Sequence, residues 1–199
     1  MNRENGDRTM MQVLASYRER KPSVFLHVCC APCASASVER IHPLCDLTLV
    51  FFNPNIMPFE EYDRRKTELI RFIKENPQYD DVRIIDLDYS NEDFIQKVVK
   101  GRENDPEKGP RCLLCYDYRM RRVALYAKEN GADLFATTLT ISPHKSTDDI
   151  NVVGRRIEKE VNMRYLPTDF KRKKGYERSL ELSTEFNLYR QSYCGCKGV

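Results

Sequence analysis

The sequence predicts an α/β fold, with a parallel sheet as the middle of three layers and helices on both of its faces. Two observations carry this. Apolar runs of strand length recur along the chain, and amphipathic stretches of helical period alternate with them. The runs read as buried strands, which suits a sheet whose faces are both covered.

The elements come in order along the chain. Residues 1–21 are polar and then helical in pattern up to Lys21-Pro22, where proline disfavours continuation of a helix. Order is expected to begin in earnest at Ser23, leaving 1–22 as an N-terminal extension. Val24–Val28 is the first strand, Cys29-Cys30-Ala31-Pro32-Cys33 a loop, and Ala34–Ile41 a helix. Leu47–Phe52 is the second strand, ended by Asn53-Pro54-Asn55 and followed by an amphipathic stretch from Phe59 to Glu75. Val82–Leu87 is the third, after which Asn91 caps a helix through Val99. Cys112–Asn130 is a longer helix closed by Gly131, a position that favours left-handed φ. Leu134–Leu139 is the fourth strand, Asp148–Glu160 a helix, and Met163–Leu166 the fifth strand. A helical tail over 176–199 ends in Tyr193-Cys194-Gly195-Cys196. No repeat or second core interrupts the pattern, so 1–199 reads as a single domain.

Composition narrows the class. At 199 residues, 41% hydrophobic and 32% charged, the chain suits one globular domain rather than disorder, collagen or coiled coil. Its longest apolar runs, such as Leu47–Phe52, fall far short of the roughly 20 residues of a membrane helix. The expectation is a soluble, cytoplasmic protein without a membrane partner. Lys and Arg outnumber Asp and Glu by 33 to 30, too mild a balance to require nucleic acid.

Cysteine is more informative. Of eight cysteines, seven fall into three clusters, Cys29/Cys30/Cys33, Cys112/Cys115 and Cys194/Cys196, while Cys45 stands alone and reads as a small buried hydrophobe. Disulfides are disfavoured in a reducing compartment, so the clusters read as metal or redox groups. A structural zinc or one cubane uses four thiols, which leaves three over. Vicinal side chains such as Cys29 and Cys30 are expected to diverge, so that both ligate only by reaching different metal atoms. This argues for a multinuclear iron-sulfur site with room for a second metal. A thioredoxin-like dithiol would leave five of the seven unexplained, and zinc in one or two structural sites is the stronger rival.

Ligands of open α/β sheets sit beyond the carboxyl ends of the strands. The loops there are Cys29–Cys33, Asn53–Pro58, Thr140–Lys145 and Asp169–Lys174. The first strand is followed by cysteines where a phosphate-cradling Gly-rich loop would stand. His27, inside a strand, reads as a satisfied core histidine. Arg164–Arg178 carries six basic residues against two acidic ones, which suits phosphate contact if the substrate is RNA.

His27-Val28-Cys29-Cys30-Ala31-Pro32-Cys33, Asn53-Pro54-Asn55-Ile56, Arg111-Cys112 to Cys115-Tyr116, and Thr138-Leu139 with Ser142-Pro143-His144-Lys145 occur in a distinctive order. Asp169-Phe170-Lys171 with Gly175, and Tyr189-Arg190-Gln191 with Tyr193-Cys194-Gly195-Cys196, complete it. Together these motifs resemble the cobalamin-independent epoxyqueuosine reductase family, QueH, over nearly the whole chain. Small departures, Phe51-Phe52 for Phe-Tyr and Lys171-Arg172 for Arg-Lys, leave the sulfur ligands untouched.

The resemblance implies a fold of the adenine nucleotide α-hydrolase-like (HUP) superfamily without its nucleotide chemistry. It implies reduction of epoxyqueuosine at the anticodon wobble position of tRNA to queuosine, the last step of making that base, with a 4Fe-4S cluster and an additional mononuclear iron. Cys29, Cys30, Cys33, Cys112, Cys115, Cys194 and Cys196 become the metal ligands, with Asp169 and then Asp117 as candidate carboxylates for the second ion. Tyr116, Tyr193, His144 and Asp169 are the candidate proton donors. Lys145, Lys171, Arg172, Lys173, Lys174, Arg178, Asn53 and Asn55 are the candidate tRNA and substrate contacts, and Arg111 and Arg119 would widen that track. With no flavin or nicotinamide fingerprint, electrons are expected from an external ferredoxin- or flavodoxin-like carrier. The alternatives are an iron-sulfur tRNA thiolation enzyme, which would need a phosphate cradle for ATP, and a non-catalytic zinc RNA-binding module.

Overall fold

The computed structural model describes residues 4–196; residues 1–3 of the expected N-terminal extension and 197–199 of the expected tail lie outside the described residues. At its centre is a four-stranded, all-parallel sheet in the order β3-β2-β1-β4, made of β1 (Ser23–Val28), β2 (Asp46–Phe51), β3 (Arg83–Asp86) and β4 (Leu134–Thr137). Successive side chains of a strand point to opposite faces, and the two cores divide accordingly. Val24, Leu26 and Val28 of β1 and Leu47, Leu49 and Phe51 of β2 face one core, shared with α1 (Gly6–Ala15), α2 (Ala31–Ile41), α3 (Phe59–Lys74) and α7 (Gly175–Glu185). Phe25 and Val50 face the other, against α5 (Pro110–Glu129) and α6 (Thr147–Val161). The three-layer α/β expectation holds.

Several expectations need correction. Order does not wait for Ser23: Met10 and Leu14, spaced to share one helical face, put α1 into the first core at 0% and 4% exposure. The loop expected over Cys29–Cys33 ends early, because Cys30 is the N-cap of α2 and Pro32 lies in its first turn, where the missing N–H costs nothing. Asn91 is the first residue of α4 (Asn91–Phe94) rather than its cap, and its amide donates to the Pro54 carbonyl; Ile95–Val99 continues as a π-helix. The fifth strand shrinks to one bridge between Phe135 and Tyr165. Pairing does not extend: in this register the next donor is the Thr168 N–H, which goes to Asn151 Oδ1 at 3.3 Å while the Thr168 hydroxyl donates to the Thr137 carbonyl, and β4 coils into a 3-10 turn over Thr138–Ile141. Gly131 takes the left-handed φ of 67° that was expected after α5.

That bridge depends on a glycine. A Cβ on Gly154 of α6 would stand 2.3 Å from the Tyr165 ring, which is 1% exposed and donates its hydroxyl to Asn151 Oδ1. Gly154→Ala is expected to cost about 1–3 kcal/mol of net stability despite its better helix propensity. A lowered urea midpoint at unchanged slope is the readout.

The strand order places the carboxyl ends of β1, β2 and β4 side by side, at the end where Cys29, Phe52 and Thr138 begin their loops. Among the described residues no helix is long and apolar enough to cross a membrane.

Candidate metal centre

β1 delivers Cys29, and the turn into α2 delivers Cys30 and Cys33. The three sulfurs lie within 4.8 Å of one another, with Cys29 and Cys30 Sγ 3.8 Å apart. The vicinal pair therefore converges instead of diverging. It sits at a strand-to-helix corner, where the chain changes direction and side chains no longer alternate as they do on a strand. Thiolates bound tetrahedrally to one ion at about 2.3 Å stand roughly 3.8 Å apart, so this pair does not by itself require two metals.

The second group comes from further away in sequence. Cys112 and Cys115, one turn apart at the start of α5, meet Cys194 and Cys196 around a small cavity also lined by Arg111, Tyr116, His144 and Lys145. A larger cavity of about 420 Å³ adjoins it, lined by Cys29, Cys33, Arg119, His144, Lys145 and Tyr193. Cys194 lines both, so it is the sulfur that joins the two groups. The structure brings all seven clustered cysteines to one end of the sheet. Cys45 stays apart, 1% exposed with its thiol on the Ile41 carbonyl.

Positive charge is built in beneath the sulfurs. Arg119, 2% exposed, points Nη1 at Cys115 Sγ 3.9 Å away and donates from Nη2 to Asn53 Oδ1, while its Nε has no partner. A guanidinium this buried needs nearby negative charge, which thiolates supply. Lys145 is held in its charged form for the same reason: burial pushes it down, but Cys194, Cys29 and Tyr116 more than offset this. Cys29 is pulled well below the ordinary thiol range by hydrogen bonds from Cys30 and Cys33, whose own values rise in return. Cys194 is drawn down to about 5, first by its hydrogen bond with Cys196 and, against burial, by Lys145 and Arg119. Anionic sulfur set among fixed cations and an unpartnered buried donor fits a metal-thiolate centre.

His27 behaves as a core residue. Its Nε2–H donates to the Phe52 carbonyl at 3.2 Å, its Nδ1 accepts from Thr137 at 2.9 Å, and burial lowers its pKa to about 3.

The remaining candidates divide. Tyr116, Tyr193, His144 and Lys145 line the cavities. Asp117 does not: Arg121 and Arg156 chelate its carboxylate on the flank of α5 facing α6, which removes it as a metal ligand. Asp169 lines neither cavity, with Oδ2 3.2 Å from Arg172 and a buried Oδ1 without a partner. Asn53 and Asn55, 0% and 1% exposed, are not surface contacts for RNA; Asn53 holds Arg119 and donates to the Val28 carbonyl at 2.9 Å. Arg119 cannot widen an RNA track from inside the core. Arg178 is engaged by Glu39 and Glu181, and Lys171 donates to the Lys145 carbonyl at 2.8 Å. Arg172, Lys173 and Lys174 are exposed. Two residues that were not among the candidate site residues also belong here, one of them, Gln191, inside a quoted motif. Gln191 donates to Cys30 Sγ at 3.2 Å, and Arg65 grips the backbone beside Cys194. The position of Arg119, four residues after Cys115 on one helical face, was a readable signal for its role.

The family model described as epoxyqueuosine reductase QueH matches residues 24–197 of the chain. The epoxyqueuosine reductase QueH of Streptococcus pyogenes serotype M1 is 42% identical over 196 residues, covering 96% of this chain and 76% of that protein. The QueH of Staphylococcus epidermidis is 36% identical over 197 residues, with 96% and 83% covered, and that of Thermotoga maritima 32% over 179, with 87% and 88% covered. Among solved structures, the U34-tRNA thiolase NcsA of Methanococcus maripaludis with its [4Fe-4S] cluster superposes with a TM-score of 0.54 at 15% identity, covering 98% of this chain and 67% of that one. That likeness establishes the shared α/β architecture alone. With sequence, sulfur set and family model in agreement over almost every described residue, the chain belongs to the epoxyqueuosine reductase QueH family.

Proposed function

We propose that this protein reduces epoxyqueuosine in the anticodon loop of tRNA to queuosine, with the seven clustered cysteines holding a 4Fe-4S cluster and an additional mononuclear iron. The observation that carries this is the convergence of those sulfurs, from the end of β1, the start of α5 and the C-terminal segment, on one rim around two adjoining cavities. The reaction takes up two electrons and two protons, breaks both epoxide C–O bonds, forms the carbon–carbon double bond and releases water. When bound, such a centre supplies single electrons and a Lewis-acid position for the epoxide oxygen.

The protein's own groups do the rest. A cavity of about 420 Å³ is the right scale for one splayed, substituted base. His144 and Tyr193 line it, which supports them as the residues that hold a proton at the epoxide oxygen; Lys145 lines both cavities and Tyr116 the smaller one. Asp169, tied to Arg172, is less well placed for that role. Electrons come from an external ferredoxin- or flavodoxin-like carrier. A tRNA thiolation reaction would need a phosphate cradle after β1, where Cys29–Cys33 stand instead.

The direct test is anaerobic reconstitution with iron and sulfide, then incubation with a reductant and tRNA carrying epoxyqueuosine. Nucleoside analysis should show queuosine. A colourless protein that retains only zinc would overturn the reading in favour of a zinc RNA-binding module.

The exposed basic run supplies the RNA contact. Lys173 and Lys174 have left-handed φ values of 56° and 61°, a region that asparagine tolerates, so Asn is the neutral replacement that spares the backbone. Lys173→Asn/Lys174→Asn should weaken tRNA binding and flatten its log–log salt dependence by roughly 1.4. Turnover of the free modified nucleoside should change little. Unchanged tRNA affinity across a salt series would return the run to a merely solvated loop.

A further inference from the structure

After α7 the chain runs through 186–196 without helix or strand, yet this arm carries Cys194 and Cys196. Arg190 ties it to Ser179 and Ser183 of α7, the Met57 N–H donates to the Gly195 carbonyl at 3.0 Å, and one stripe of α3 supplies much of the remaining hold. Arg71 donates to the carbonyls of Phe186 and Asn187, Glu68 accepts from the Tyr189 N–H at 2.6 Å, and Arg64 lies 3.5 Å over the Tyr189 ring. Glu61 accepts the Tyr189 hydroxyl. Arg65 reaches furthest, donating to the carbonyls of Tyr193 at 3.3 Å and Cys194 at 3.2 Å while its Nε is fixed on Glu61 at 2.6 Å. Spacings of three and four residues put Glu61, Arg65 and Glu68 on a common stripe, and Arg64 and Arg71 beside it.

Arg65 is only 2% exposed, and burying an arginine is costly. Helix α3 does not require it for its own packing, which Tyr62, Leu69, Phe72 and Ile73 provide. Its fork satisfies two successive carbonyls of the arm, one of them belonging to a cysteine that lines both cavities. We infer that Arg65, anchored by Glu61, is a positioning residue that latches the C-terminal arm, so that Cys194 and Cys196 complete the sulfur set begun by Cys112 and Cys115. The arm closes the metal centre, and α3 holds the backbone at Tyr193 and Cys194 where it closes. This rests on the reading of the seven cysteines as metal ligands.

The test uses the full chain, with Arg65→Gln, which removes the charged fork, and Arg65→Lys, which keeps the charge alone. In metal-free protein, iodoacetamide labelling mapped by peptide should show Cys194 and Cys196 reacting roughly tenfold faster or more in Arg65→Gln, with Cys45 unchanged. Arg65→Lys should restore part of the protection. After anaerobic reconstitution, iron per chain in Arg65→Gln should fall to that of Cys194→Ser/Cys196→Ser, and combining the changes should lower it no further. Wild-type labelling and iron content in Arg65→Gln would overturn the inference, as would equal acceleration at every cysteine, which reports general loosening. If wild type itself took up no iron, the metal reading would fail, and the labelling would still decide the latch. Glu61→Gln frees the same anchor and carries the labelling test if Arg65→Gln does not fold.

Discussion

Cys194→Ser is expected to give the largest functional loss of any single substitution, at least about 100-fold in turnover with a matching fall in bound iron. Cys194 is the sulfur that lines both cavities and stands close to Lys145 and Arg119, whose charges draw it toward the thiolate. A serine hydroxyl is a hard, weakly acidic ligand that would stay protonated there, removing one of the anions that face both cations. Cys45→Ser is the matched control: that thiol is buried elsewhere, on the Ile41 carbonyl, and its loss should cost stability but no metal. Iron and sulfide analysis with anaerobic absorbance separates the two. Full metal content in Cys194→Ser would remove the joining role assigned to it.

Arg119→Met should have the largest effect on stability, on the order of 3 kcal/mol near pH 8, because it takes one of their cations from the lowered thiols of Cys29 and Cys194 and leaves Asn53 without its donor. The pH dependence gives the sign. Cys194 falls to about 5 in the fold, from an ordinary thiol value near 9, so between those limits the unfolded chain binds more protons and stability rises with pH. Its contribution is complete above about pH 9 and lost as pH falls through about 5. Arg119 supplies part of that depression, so metal-free Arg119→Met should show a shallower rise than wild type over this window. Parallel stability profiles, read by urea unfolding of the metal-free proteins, would show that Arg119 has no electrostatic coupling to the sulfurs.

Much of this was legible in one dimension. The alternation of buried strands with amphipathic helices set the sheet, because parallel strands covered on both faces leave continuous apolar runs such as Leu47–Phe52. The order of cysteine motifs identified the family, since each ligand type is fixed by chemistry that changes little with packing. The sequence also indicated His27 as a core residue, by its place inside a strand.

The tertiary structure decided which polar residues face the site. Asn53 and Asp117 looked equally available in sequence, yet one is enclosed beneath the cysteines and the other is chelated by Arg121 and Arg156 on the flank of α5 that faces α6. Arg119 and Arg121, two residues apart on the same helix, divide in the same way between core and surface. The convergence of Cys29 and Cys30 depends on a strand-to-helix corner that spacing alone does not place. The arm that carries Cys194 has no periodicity of its own, because contacts from α3, more than 120 residues earlier, hold it in place. Local patterning encodes what a segment buries, whereas a ligand set drawn from three distant segments exists only once the sheet has brought their ends together.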